Sequence, residues 1–211
     1  MKQYLIKEIF GPTIQGEGSM TGTMTHFIRF SGCNMWDGRP ETREGSQCPY
    51  CDTDFHGGDR LSSKDIIFIL NKLGPAKWVT ISGGEPLLQL DHELVTDLKR
   101  EGYKIAIETN GTRECPFEID HITCSPKVTL DKIKLKRCDD LKLLFPHPFL
   151  TPDMFEDINE NGCGFFAHKF YLQPVWDDSY DPNLFRTIQE IYRRKGKWSL
   201  SIQVHKYLSL R

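Results

Sequence analysis

Strand-like and helix-like segments alternate along most of this chain, and that alternation limits the folds it can adopt. Helical patterns predict helices at Ser63–Leu73, His92–Glu101 and Asn183–Arg194. Short runs rich in β-branched and aromatic residues predict strands at Thr25–Phe30, Trp78–Ser82, Tyr103–Glu108, Ile122–Ser125, Leu141–Phe145, Phe170–Gln173 and Ser199–Gln203. Repeated βα units favour an α/β fold, with a mostly parallel sheet and helices packed outside it.

Length and charge narrow the function classes. The chain has 211 residues, of which 38% are apolar, enough for the core of a single globular domain. Its 27 basic and 29 acidic residues give a formal net charge of −2, so we expect neither nucleic acid nor a membrane surface as a partner. The first residues lack the apolar core of a signal peptide, and no run approaches the length of a membrane span. We therefore expect a cytoplasmic protein that acts on small molecules.

Polar and glycine residues follow several predicted strands. Gly32 and Cys33 follow the first predicted strand, and Gly83–Pro86 follows the second. Ser125–Lys127 and Gln173–Pro174 occupy the same position on later strands. Because the loops at the carboxyl ends of parallel strands form the active site in β/α folds, we expect one shared site at that edge.

Three cysteines have the character of metal ligands. Cys48 and Cys51 form a C-x-x-C pair, and Cys33 lies upstream of them. Three thiolates can hold three corners of a [4Fe–4S] cluster and leave the fourth iron open. The alternative is a structural zinc site, for which His26 or His56 would supply the fourth ligand. The other cysteines show no ligand spacing and are predicted to be buried or idle thiols: Cys115, Cys124, Cys138 and Cys163.

Taken together, these motifs resemble the radical S-adenosylmethionine (SAM) superfamily, and within it the 7-carboxy-7-deazaguanine synthase family. The resemblance covers nearly the whole chain. It rests on these segments: Ile14–Gly18, Arg29–Asn34, Cys51–Thr53, Gly83–Pro86, Glu108–Gly111, Ser125–Lys127, Gln173–Pro174 and Gln203–Leu208. The superfamily usually places three residues between its first two cysteines, whereas fourteen separate Cys33 from Cys48. We interpret residues 34–47 as an exposed insertion in the cluster loop of a single domain, residues 1–211.

The resemblance implies a fold and a set of cofactors. The fold is a partial (β/α) barrel of mostly parallel strands, of the radical SAM type. Cys33, Cys48 and Cys51 would bind the [4Fe–4S] cluster, and the hydroxyl of Thr53 would bind Mg²⁺, although the sequence alone makes Thr53 a turn cap. SAM would be bound by the following residues: Tyr50, Cys51, Gly84, Glu85, Ser125, Pro126, Lys127, Gln173, Pro174, Val175 and Trp176.

The resemblance also implies a substrate and a reaction. The enzyme would be a lyase that converts 6-carboxy-5,6,7,8-tetrahydropterin into 7-carboxy-7-deazaguanine with loss of ammonia, for queuosine and other 7-deazapurines. No side chain would act as a conventional acid or base, because the cluster and a 5′-deoxyadenosyl radical carry the chemistry. The substrate would contact these residues: Ile14, Gln15, Gly16, Glu17, Arg29, Ser82, His205 and Arg211.

Two other functions remain open at this point. A radical SAM activating enzyme that acts on a protein partner would share the cluster and the Gly83–Pro86 run. A zinc-stabilised binding domain would share only the cysteines. For the synthase, the family suggests a homodimer and an electron donor such as flavodoxin or ferredoxin.

Overall fold

A single mixed sheet organises the protein. The computed structural model describes residues 2–160, 162 and 164–210. In these residues the sheet has nine strands, in the order β3-β1-β2-β4-β5-β6-β7-β8-β9. The strands are β1 (Tyr4–Ile14), β2 (Met24–Phe30), β3 (Asp59–Leu61), β4 (Trp78–Gly83), β5 (Lys104–Thr109), β6 (His121–Cys124), β7 (Arg137–Phe145), β8 (Phe166–Pro174) and β9 (Trp198–Leu200).

Each pair of neighbouring strands is parallel in the part of the sheet with the order β2-β4-β5-β6-β7-β8-β9. Strand β1 pairs antiparallel with both β2 and β3. No pairing joins the end strands β3 and β9 within the described residues, so the barrel is partial. The predicted α/β partial barrel is confirmed. The sequence analysis missed β1, in which Gly11 and Pro12 interrupt the pattern, and the three-residue strand β3.

The helices are α1 (Ser63–Lys72), α2 (His92–Arg100), α3 (Asp153–Glu156), α4 (Tyr180–Arg193) and α5 (Val204–Tyr207). Helices α1, α2 and α4 pack against the strands of the sheet. The three longer helices match the predicted ones to within a few residues. The last predicted strand was too long, because β9 ends at Leu200 and Gln203 precedes α5.

The two faces of the parallel strands have opposite character. Side chains alternate between faces along a strand. On β4, Val79 and Ile81 belong to the apolar core beneath the helices, while Thr80 faces the other way and is buried too. On β7, Leu141 and Leu143 belong to the core, while Asp140 and Lys142 are buried on the other face. The face inside the barrel is therefore polar, which is where a polar ligand can be bound.

The insertion at residues 34–47 is mostly exposed, as predicted. Its exception is Trp36, which is 6% exposed and packs edge-on against Phe55, with ring centroids 5.5 Å apart. The guanidinium of Arg43 lies 4.7 Å from the centre of the Trp36 ring. The assignment of the whole chain to a single domain stays a prediction. Across the described ranges, no helix is long and apolar enough to cross a membrane.

Replacing Ser62 tests how α1 begins. The Ser62 hydroxyl accepts a hydrogen bond from the Asp65 amide, and the Asp65 side chain accepts one from the Ser62 amide. We expect Ser62→Ala to lower the free energy of unfolding by about 1 kcal/mol, because the Asp65 amide at the start of α1 loses its hydrogen-bond acceptor. Denaturant titration measures the change. Ser199→Ala, at an exposed position on β9, is the control, and equal stabilities for the two variants would contradict the prediction.

Candidate active site

One cavity of about 330 Å³ opens at the carboxyl ends of the parallel strands. Its volume is in the range of small-molecule sites. Most of the predicted site residues line it: Ile14, Gln15, Glu17, Arg29, Cys33, Cys48, Tyr50, Cys51, Thr53, Ser82, Gly84, Ser125, Lys127, Gln173, Val175, Trp176 and His205. Residues that are far apart in the sequence therefore meet in one place, as the strand-end argument predicted.

Four predicted site residues are not in the cavity lining, and a fifth, Arg211, lies outside the described residues, as does Cys163. Gly16 lies beneath His205, since a Cβ added to it would be 2.3 Å from His205 Nδ1. Pro126 and Pro174 are absent from the lining, and so is Glu85, which is fully buried. Pro174 ends β8 and positions its neighbours Gln173 and Val175.

The three predicted ligand cysteines border the same cavity. Cys48 and Cys51 lie in a turn closed by a 3.2 Å bond from the Cys51 amide to the Cys48 carbonyl. A hydrogen bond from the Cys48 thiol lowers the pKa of Cys51 to about 7, while burial raises the pKa of Cys33. In the described part of the chain, no group of three or more His, Cys, Asp and Glu side chains is placed so that it could hold a single metal ion. Cys124 and Cys138 are buried, as predicted for idle thiols.

Gly83, Gly84 and Glu85 hold three strand ends together. The Gly84 amide bonds to Phe30 O and the Glu85 amide to Gly32 O, both at 3.0 Å. The Glu85 carboxylate accepts from Thr109 Oγ1 and the Asn110 amide, each at 2.8 Å, and from the Leu87 amide at 3.0 Å. Burial nonetheless raises its pKa. These contacts make Glu85 a positioning residue for the glycine turn rather than an open ligand.

A buried ammonium lies between two carboxylates on the cavity wall. Lys142, which is 4% exposed, donates to Glu17 Oε2 and, at 2.9 Å, to Glu108 Oε2. The other oxygen of Glu17, Oε1, accepts from Gln203 Nε2 at 2.8 Å, and the other oxygen of Glu108, Oε1, accepts from Gln15 Nε2 at 3.2 Å. Burial opposes ionisation, but Lys142 brings the pKa of Glu17 down to about 2, and the two carboxylates raise the pKa of Lys142. For Glu108, burial prevails and raises the pKa.

The sequence analysis did not include Lys142 or Glu108 among the site residues. Glu108 appeared only as part of a motif, although it ends a predicted strand. Lys142 stands inside the apolar run Leu141–Phe145, and a charged residue in a buried strand needs a partner. That interruption was the available signal. Its partners were not visible, since Glu17 and Lys142 are 125 residues apart.

The segment that carries Gln15 and Glu17 is fixed by the strands beneath it. Asp140 on β7 accepts hydrogen bonds from the Ser19 amide at 2.8 Å and from the Ser19 hydroxyl. Ser201 Oγ accepts from the Gly18 amide at 3.0 Å and donates to Gln173 Oε1 at 2.8 Å. The Gln15–Glu17 segment thus projects its side chains into the cavity from an anchored backbone.

The short helix α5 closes one side of the cavity. Its Val204 amide bonds to the Gly16 carbonyl at 3.0 Å. Lys206 Nζ lies 2.5 Å from Asp52 Oδ2 and 5.0 Å from the centre of the Trp176 ring. Gln203, which precedes the helix, also donates to Asp52, at 3.3 Å. The cluster loop and the Gln15–Glu17 segment are therefore joined through α5.

Two further predicted residues have partners of their own. Lys127 Nζ donates to Ser125 Oγ at 2.7 Å and to Ser125 O at 2.9 Å, and both residues line the cavity. Arg29 forms an ion pair with Glu8, with 3.4 Å from Nε to Oε1. The positive charge of Arg29 is thus partly balanced before any ligand arrives.

A partial barrel with three thiols and a glycine turn at its carboxyl-terminal rim defines an α/β enzyme of the radical SAM type. No family model matches the chain. Individual proteins do match it. The 7-carboxy-7-deazaguanine synthase of Bradyrhizobium diazoefficiens is 38% identical to this chain, with 99% of each chain covered. The 7-carboxy-7-deazaguanine synthase of Caulobacter vibrioides is 36% identical, with 98% of this chain and 99% of the relative covered. The crystal structure of QueE from Escherichia coli superposes with a TM-score of 0.66 and 26% identity, covering 95% of this chain and 94% of that one.

The chain belongs to the 7-carboxy-7-deazaguanine synthase family. The identities of its relatives, over nearly the full length of both chains, are high enough to establish this. The predicted family and enzyme class are confirmed. Membership also favours the synthase over the activating enzyme and the zinc-stabilised binding domain.

Proposed function

We propose that this chain converts 6-carboxy-5,6,7,8-tetrahydropterin into 7-carboxy-7-deazaguanine and ammonia, a product used for queuosine and other 7-deazapurines. The observation that carries the proposal is the single cavity in which the cysteine loop, the glycine turn and the polar Gln15–Glu17 segment meet. The reaction is balanced without an external oxidant, since loss of ammonia accounts for every atom that leaves the pterin.

Cys33, Cys48 and Cys51 are the proposed ligands of a [4Fe–4S] cluster. The donor set fits that group, because three thiols line one cavity and a fourth iron is left for a small molecule. The Cys51 thiol, whose pKa lies near 7, ionises readily when a metal arrives. When bound, the cluster and SAM together supply the one-electron chemistry that removes a hydrogen atom from the substrate.

The SAM-binding residues would surround the cluster. An added Cβ on Gly84 would lie 1.9 Å from Gly32 O, so the backbone at this turn runs against the cluster loop with no room for a side chain. Glu85 would hold this turn in place from behind. The other proposed contacts come from residues on the cavity rim or next to it: Tyr50, Ser125, Pro126, Lys127, Gln173, Pro174, Val175 and Trp176.

The substrate would lie deeper, against the polar face of the sheet. Gln15 and Glu17 offer amide and carboxylate groups to the pterin ring, and Arg29 offers its guanidinium to the substrate carboxylate. Ile14, Ser82 and His205 would complete the contacts, with Gly16 giving His205 the room that a side chain would fill. The Arg211 carboxylate is proposed from the family resemblance alone. The chain's own contribution is to bind, orient and exclude water.

Thr53 is the proposed protein ligand of Mg²⁺, and its removal should change the metal requirement. Hard oxygen ligands suit Mg²⁺, which keeps several waters and takes further oxygens from the substrate. We expect Thr53→Ala to raise the Mg²⁺ concentration needed for half-maximal rate about tenfold. Steady-state rates over a Mg²⁺ titration measure the shift. Thr53→Ser, which keeps the hydroxyl, should behave like the wild type, and an unchanged requirement in Thr53→Ala would reject the assignment.

Partners and location follow from the same proposal. We propose that a small flavodoxin or ferredoxin supplies electrons, that the enzyme forms a homodimer, and that it works in the cytoplasm. A reducing compartment suits the free thiols, which include all three proposed ligands.

The direct test is turnover by the reconstituted enzyme. Anaerobic protein with cluster, reductant, Mg²⁺, SAM and 6-carboxytetrahydropterin should form 7-carboxy-7-deazaguanine, followed by mass spectrometry. Formation of 5′-deoxyadenosine without the deazaguanine would retain the radical chemistry and reject the substrate. Absence of both products, with stoichiometric zinc in the protein, would reject the proposed function as a whole.

A further inference from the structure

Among the described residues, the Lys142 ammonium makes two hydrogen bonds, although it has three N–H donors. An ammonium group carries three N–H bonds. Two of them go to Glu17 and Glu108. In the part of the chain that the structure describes, no third protein acceptor is bonded to Lys142 Nζ, and Lys142 borders the cavity. The remaining N–H is therefore free to meet a ligand in the cavity.

The carboxylates beside this ammonium also retain capacity for a ligand. Each carboxylate oxygen of Glu17 and Glu108 accepts one bond from the protein. A carboxylate has about four acceptor positions over its two oxygens. The wall of the cavity therefore presents a donor directly beside acceptors, with 2.9 Å from Lys142 Nζ to Glu108 Oε2.

A donor beside an acceptor is complementary to a lactam. In a 2-amino-4-oxo pyrimidine ring, the ring N–H stands next to the 4-oxo group, so its edge offers one donor and one acceptor side by side. We propose that Lys142 is a specificity-determining residue that donates its third N–H to the 4-oxo oxygen of the substrate, while a flanking carboxylate accepts from the neighbouring ring N–H. This inference rests on the proposed function, because it assumes a pterin in this cavity.

The lactam contact would reject a particular analogue. A 4-amino ring replaces the 4-oxo acceptor with a donor, which would face the ammonium and leave the buried N–H of Lys142 without a partner. Sites built around such hydrogen bonds discriminate strongly, because an unsatisfied buried group is costly. A lysine that only neutralised the two carboxylates would show no preference of this kind.

The test uses two stable ligands that differ only in the 4-substituent and, as a consequence, in whether the neighbouring ring nitrogen carries a hydrogen. These are 6-carboxypterin and 2,4-diaminopteridine-6-carboxylate, titrated anaerobically into the cluster-loaded, SAM-bound protein and followed by calorimetry. We expect the wild type to bind the 4-oxo ligand at least about tenfold more tightly. In Lys142→Met, affinity for the 4-oxo ligand should fall about 10- to 100-fold and affinity for the 4-amino ligand less than about threefold. The ratio of the two affinities should thus fall at least about threefold from its wild-type value, and the carboxylate contact to the ring N–H accounts for any preference that remains.

Two further variants keep the test decisive. Lys169→Met removes an exposed lysine from the neighbouring strand β8 and should retain the wild-type ratio. If Lys142→Met does not fold or load its cluster, the double variant Lys142→Met/Glu108→Gln replaces it, because it loses one positive and one negative charge together. Its affinity ratio should also fall at least about threefold from the wild-type value.

The outcomes separate this inference from the proposed function. If the wild type binds the two ligands equally or binds neither, or if the Lys142 variant keeps the wild-type ratio, the role of Lys142 is overturned. Turnover of 6-carboxytetrahydropterin by the wild type is measured on the same preparation. If the wild type turns over its substrate but Lys142→Met keeps the wild-type affinity ratio, only the role of Lys142 is rejected. If the wild type shows no turnover, the proposed function is rejected.

Discussion

Cys51→Ala should abolish the reaction. The three proposed ligands line the same cavity, and a hydrogen bond from the Cys48 thiol lowers the pKa of Cys51. Loss of one thiolate leaves two ligands for a cluster that needs three from the protein. We expect the visible absorption of the reconstituted cluster to disappear and the turnover rate to fall at least about 10³-fold.

Cys115→Ala is the matched control for that experiment. Cys115 is a half-buried free thiol that packs against the core and lies outside the cluster loop. This variant should load a normal cluster and form product at close to the wild-type rate. If Cys51→Ala kept the cluster absorption and 5′-deoxyadenosine formation, the assignment of Cys51 as a ligand would be wrong.

Gly84→Ala should damage both the fold and the site. The new Cβ would lie 1.9 Å from Gly32 O and 3.0 Å from Cys33 N, both of which are backbone atoms that cannot turn away. The ends of β2 and β4 would have to separate, which also weakens the bond from the Gly84 amide to Phe30 O. We expect the free energy of unfolding to fall by about 2–3 kcal/mol and SAM binding to be lost.

Gly45→Ala provides the comparison for this glycine. Gly45 is exposed in the insertion, and a Cβ there meets no atom within 4 Å. Its stability should stay within about 0.5 kcal/mol of the wild type. Denaturant titration measures stability, and calorimetry measures SAM affinity. Wild-type SAM affinity in Gly84→Ala would show that this turn does not approach the cofactor.

Local patterns made much of this architecture predictable. The alternation of strands and helices specified the parallel sheet, since each predicted strand from Thr25–Phe30 onward has a counterpart in it. The cysteines and the glycine turn were recognisable because their spacing in the sequence carries the signal. Strand ends then placed them together, because parallel strands share one edge.

The parts that escaped prediction depend on contacts between distant residues. Lys142 meets Glu17 and Glu108 only once the register of β5 and β7 and the path of the chain after β1 are known. Gln203 was assigned to a strand, whereas it precedes α5 and bonds to Glu17, 186 residues away. A four-residue helix has too little sequence for a periodic signal to appear.

The contact between α5 and the Gln15–Glu17 segment limits when the cavity can be completed while the chain is being synthesised. A chain emerging from the ribosome presents Cys33, Cys48 and Cys51 long before Gln203 and Val204 are made. The bonds from Val204 to Gly16 and from Gln203 to Glu17 and Asp52 can therefore form only after most of the described chain has been made, and they join segments near its two ends around the cavity. Until residues 203–206 have been made, Asp52 in the cysteine loop lacks its contacts with Gln203 and Lys206, so the wall of the cavity that α5 supplies is added late.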